Sequence, residues 1–97
     1  MVVSYTAKHV EIDNEMKDYL EKKLQKVKFY FKQIININVM IGQERGQITT
    51  DVKVSASQDV YFAKETASTW KESFDNVIDK VEKEIKKKKD KITDHHK

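Results

Sequence analysis

The chain has 97 residues, 36% of them charged, a formal net charge of +3, and neither cysteine nor proline. That length fits one domain with a modest two-layer core. The lack of cysteine excludes disulfides, thiolate nucleophiles and thiolate-bound metals. No apolar run reaches the roughly 18 residues of a membrane span, and no secretory signal opens the chain. A single cytoplasmic domain over 1–97, with a frayed polar tail from about 93 and no membrane contact, is the expectation.

In chain order, Val2 to Thr6 reads as a short strand, β-branched and aromatic. A connection follows, and Asp13 is placed to cap a helix. Met16, Leu20, Leu24, Val27 and Phe31 recur at gaps of four and three, which predicts a helix ending near Lys32 or Gln33. Ile34 to Ile41 reads as a second strand, with Ile35, Ile37, Val39 and Ile41 inward and Asn36 and Asn38 outward. Residues 42–46, with two glycines, read as a hairpin loop. Ile48 to Ala56 alternates as a third strand, with Thr50 on the inward set and in need of a partner. Val60 to Ala67 is a fourth strand. Its facing is open, since Val60 and Phe62 compete with Tyr61 and Ala63 for the inner side. Ser68 or Thr69 then caps a last helix with its stripe at Trp70, Phe74, Val77, Ile78, Val81, Ile85 and Ile92.

The order is β-α-β-β-β-α, an α+β two-layer sandwich. A four-stranded mixed sheet carries both helices on one face, with the first two strands parallel through the first helix. No boundary or repeat divides the chain, and no unclaimed apolar surface demands a partner, so a monomer is expected when free.

Charge is sorted rather than mixed. From Lys80 to Lys97 there are eight lysines against four acidic residues, which leaves the rest of the chain near neutral. On the last helix Lys80, Lys83, Lys87 and Lys91 fall on one flank of the stripe, and Asp75, Asp79, Glu82 and Asp90 on the other. On the first helix Tyr19, Lys22, Lys23, Lys26 and Tyr30 share one flank, with Asp18, Glu21 and Gln25 opposite. Lysines interleaved with aromatic rings suit RNA, where ammonium groups meet phosphates and a ring stacks on a base. Tyr19 and Tyr30 equally fit the border of a core. Near a helix C-terminus the macrodipole accounts for one or two of the lysines at 86–89. It does not account for Lys80 and Lys83 higher up the same edge. Lysine as a point charge favours backbone and shape recognition over base reading.

No catalytic signature is present: no nucleophile elbow, phosphate-binding loop or zinc-helix motif. His9 is alone after the first strand, and His95 and His96 lie in the expected tail. A metal site needs held geometry, so neither a metal, a cofactor nor an enzyme is expected. A general double-stranded RNA module, with its α-β-β-β-α core, is the alternative to a more specific RNA partner.

The stretches VEIDNEMKDYLEKKLQKVKFYF, from Val10 to Phe31, and FDNVIDKVEKEIKKKKDKI, from Phe74 to Ile92, resemble the two helices of the ribosome hibernation promoting factors. The strand order between them is also similar. The resemblance implies a protein that lies on the small ribosomal subunit at the decoding region, across the mRNA path and tRNA sites. There it would contact 16S rRNA and silence translation under stress. It carries basic positions onto Lys23, Lys26, Lys80, Lys83, Lys87, Lys89 and Lys91. The chain departs from the family at Thr69-Trp70-Lys71, where relatives commonly show Asp, any residue, then Tyr. Ending at Lys97, it resembles the short form, which implies ribosome pairing alongside a separate ribosome modulation factor.

Overall fold

The computed structural model describes the backbone of residues 2–30, 34–57 and 59–94, and their side chains except 2, 28–30 and 88–94. The elements are β1 (Val2–Lys8), α1 (Asn14–Tyr30), β2 (Ile34–Glu44), β3 (Gln47–Ala56), β4 (Val60–Ala67) and α2 (Trp70–Asp94). They form one four-stranded sheet in the order β1-β2-β3-β4. β1 runs parallel to β2, and the two later pairs are antiparallel. A parallel pair needs a crossover, and α1 supplies it. Two antiparallel steps bring β4 into the direction of β2. Each helix returns against the strand before it, so α1 and α2 run parallel, side by side.

Both helix stripes close on the same sheet face. Met16, Leu20, Leu24 and Val27 of α1 and Phe74, Val77, Ile78, Val81 and Ile85 of α2 are buried with Ile37, Val39, Ile41, Val52, Val54 and Ala63 of the strands. Phe31 and Ile92, expected to extend the two stripes, lie outside the described side chains, as does the expected end of α1 at Lys32 or Gln33. Each helix starts at a side-chain cap. Asp13 Oδ1 accepts from the Met16 N–H at 2.9 Å, and Thr69 Oγ1 from the Glu72 N–H at 3.2 Å. The backbone of α2 stays helical to Asp94, and the rest of the expected tail lies outside the described residues.

Three strand expectations are revised or settled. Ile35 is 56% exposed, not inward. The register steps from Ile34↔Ala56 to Asn36↔Ser55, which leaves Ile35 as the extra residue of a bulge and turns Ile34 inward instead. The hairpin is tighter than a five-residue loop. β2 continues through Glu44, and only Arg45 and Gly46 turn, at φ 53° and 78°. Two positive φ values match the twist of the flanking strands. In β4 the inner side belongs to Tyr61 and Ala63, because they pair across with the buried Val54 and Val52. Val60 and Phe62 face solvent on the outer surface, with Met40.

The inward Thr50 has its partner. It is fully buried, and its hydroxyl lies 2.8 Å from that of Ser73, which is 2.8 Å from the Glu65 carbonyl. A hydroxyl has one proton to give. Ser73 therefore donates to the carbonyl and accepts from Thr50, a relay that ties β3, β4 and α2. Ser73→Ala should cost about 1–3 kcal/mol by stranding the Thr50 hydroxyl. Adding Thr50→Val should recover part of that loss in urea denaturation. Two simply additive losses would show that the hydroxyls do not act as a pair.

Candidate nucleic-acid interface

The roll of each helix is set by its stripe, and the roll places the charges. With Phe74, Val77, Val81 and Ile85 turned into the core, Lys80, Lys83 and Lys87 emerge exposed on one flank of α2. Lys80 Nζ reaches Glu65 Oε2 of β4 at 3.2 Å. The lysine flank therefore overhangs β4, the outer strand of the sheet. Lys91, expected to continue this flank, and Lys89, which the family resemblance adds to the expected interface, lie outside the described side chains.

The other flank of α2 meets α1. The Tyr19 hydroxyl donates to the two Asp75 oxygens, at 2.7 and 2.8 Å, and Lys23 Nζ lies 3.7 Å from Asp75 Oδ1. Lys22 and Lys26 are exposed, and Lys23 is partly covered. The lysine flank of α1 thus faces the acidic flank of α2. Both helices carry their lysines on the same-handed side of the stripe. Parallel helices with that arrangement bring unlike flanks together when packed side by side. The two basic edges share the helical layer, but they are not contiguous: Asp75 lies between them.

Tyr19 is part of the wall between the helices. Its ring meets Trp70 edge-on at 5.4 Å and Phe74 at 6.3 Å between centroids. Burial, and after it the hydrogen bond and charge of Asp75, push its hydroxyl from 10.0 up to about 12. The Lys23 and Lys71 ammonium groups lie 5.7 and 5.5 Å from its ring centroid. Lys71 also lies 5.6 Å over Trp70. Trp70 and Lys71 are therefore joined to Tyr19 in one aromatic and cationic cluster. The pairing of Asp75 with Tyr19 is not visible from the sequence, because periodicity assigns each residue only to a flank of its own helix. Tyr30 lies outside the described side chains.

His9 is exposed in the turn after β1, at φ 61°. Among the described residues no group of three His, Asp or Glu is placed to hold a metal, and no helix is long and apolar enough to cross a membrane.

The raised Tyr19 value carries a sign. The fold favours the neutral phenol, so its contribution is complete below about pH 10 and is lost as pH climbs through about 12. Tyr19→Phe should lower stability by about 1 kcal/mol near neutral pH. The gap in urea midpoint between wild type and variant should then narrow as pH rises across that window. A gap that stays constant would mean the hydroxyl is not held by Asp75.

The chain spans nearly the full length of the relatives it matches. It is 26% identical over 91 residues to the ribosome hibernation promoting factor of Pseudomonas putida, covering 94% of this chain and 89% of that one. It is 25% identical over 95 residues to the factor of the same name from Escherichia coli, covering 98% and 100%. Among solved structures, a ribosomal subunit interface protein from Coxiella burnetii superposes with a TM-score of 0.86 at 21% identity, over 92% of this chain and 98% of that one. The N-terminal domain of Thermus thermophilus Protein Y gives 0.81 at 19% identity, over 90% and 98%. These two establish the same four-stranded, two-helix fold. Residues 3–93 match the sequence model of one family across almost every element described above, and the chain belongs to that family, the Sigma 54 modulation protein / S30EA ribosomal proteins.

Proposed function

We propose that this chain is a ribosome hibernation factor of the cytoplasm. It binds the small ribosomal subunit at the decoding region, across the mRNA path and tRNA sites, and blocks translation by occupying them. Family membership supports the reading, as do relatives named for ribosome hibernation. The observation that carries it is the exposed lysine flank of α2, Lys80, Lys83 and Lys87, turned outward by the buried stripe. Lys89 and Lys91 belong to the same reading as further lysines for 16S rRNA, carried over from the family resemblance.

Lys22, Lys23 and Lys26 of α1 form a second row, separated from the first by Asp75. Tyr19 serves here by holding α1 against α2, and Tyr30 is the ring of that flank offered for stacking on a base. The protein acts by occupancy, without turnover or cofactor. Pairing of ribosomes alongside a separate modulation factor belongs to the same reading. A general duplex-RNA module is less favoured, because the family and the named relatives are ribosomal.

Lys83 and Lys87 are the residues to change, since Lys80 also holds Glu65. Lys83→Glu with Lys87→Glu should sharply weaken co-sedimentation with small subunits while leaving the circular dichroism spectrum intact. Across a salt series the slope of log affinity against log salt should flatten by about 0.7–0.9 for each phosphate no longer neutralised. Unchanged binding by a folded double variant would reject this flank. Equal affinity for any long RNA duplex would instead favour the general module.

A further inference from the structure

A second recognition feature lies away from the lysine flanks, between the N-terminal ends of α1 and α2. It is a cleft of about 510 Å3, within the roughly 300–1,000 Å3 of small-ligand sites. Trp70 and Lys71 line it from α2, Asp13, Glu15 and Met16 from the start of α1, and Ile48 from β3.

Its polar lining is mixed. The Asp13 and Glu15 carboxylates stand against the Lys71 ammonium and the Ser68 and Thr69 hydroxyls, so a bare phosphate meets both signs of charge. The carboxylates accept hydrogen bonds, and an occupant that donates to one of them is favoured. The indole, Met16 and Ile48 call for a flat apolar face. An unpaired nucleobase meets both demands, stacking on an aromatic ring while its edge is read by polar side chains. Guanine fits best, because N1–H and the N2 amino group offer two adjacent donors to one carboxylate. Uracil offers one donor, and adenine and cytosine set a donor beside an acceptor. Asp13 already commits one oxygen to its cap, which makes Glu15 the better acceptor. The Lys71 ammonium, 5.6 Å from the indole centroid, adds a cation beside the aromatic platform.

We infer that this cleft takes one unpaired guanine of RNA, stacked on Trp70 with its N–H edge on the Glu15 carboxylate. The inference rests on the rRNA-binding reading above. It adds one point of base-edge reading, at Trp70 and Glu15, to a surface whose lysine rows meet phosphates.

Trp70 is the only tryptophan, so emission excited at the red edge of the indole band, where the tyrosines hardly absorb, reports this cleft. The intact protein is titrated with the hexaribonucleotides UUGUUU, UUAUUU and UUUUUU at one salt concentration. UUGUUU should quench Trp70 at about tenfold lower concentration than the other two, in line with the discrimination of a bidentate contact. Glu15→Gln should erase that preference while leaving the weak, unselective binding of all three. Quenching that is absent, or equal for the three hexamers, overturns the inference. It does so whether or not the protein still pellets with small subunits, which is the separate test of the lysine flank.

Discussion

The structure depends on the roll of two helices, and burial sets that roll. Leu20, Leu24, Phe74, Val77 and Val81 are each almost wholly withdrawn from water. Each such side chain contributes about 1.5–3 kcal/mol, so turning either helix by one flank would forfeit several of them. The contacts between the helices are weak beside that. The Lys23–Asp75 pair, at 3.7 Å with both side chains over a third exposed, belongs with surface pairs worth about 0–1 kcal/mol. Charge therefore does not decide how the helices pack. Packing decides where the charges end up.

That order of causes shapes the surface offered to a partner. Parallel helices with lysines on the same-handed flank leave one lysine row exposed over β4, where Lys80 pairs with Glu65, and press the other against an acidic row. Asp75 then has two roles at once. It accepts the Tyr19 hydroxyl and so fixes the helix pair, and it interrupts what would otherwise be one basic field. A polyanion that meets both rows has to bridge it. The outer face of the sheet, with Asn38, Lys53 and Lys64 among Met40 and Phe62, carries no comparable sorting.

The start of α2 is where aromatic side chains gather. Trp70, Lys71 and Tyr19 hold each other by ring and ammonium contacts. The first fully buried anchor of α2, Phe74, comes one turn later, and Thr69 caps the helix. Trp70 is partly buried and packs against the core.

Periodicity determined the element order, the two-layer build and most of the core, because helix and strand repeat at different intervals and the apolar residues obey both; residue type marked the Asp13 cap and left Ser68 and Thr69 open for the other, which the structure gives to Thr69. It also sorted the charges of each helix into flanks. It misplaced Ile35, because a bulge shifts the count by one and leaves no mark in the alternation before it. It left β4 undecided, because Val60 and Phe62 are as apolar as Tyr61 and Ala63, and only pairing with Val54 and Val52 breaks the tie. Which flank of one helix meets which flank of the other came from the tertiary structure alone. Neighbouring flanks depend on the relative direction of two segments some fifty residues apart, and that direction is set by the path of the strands between them.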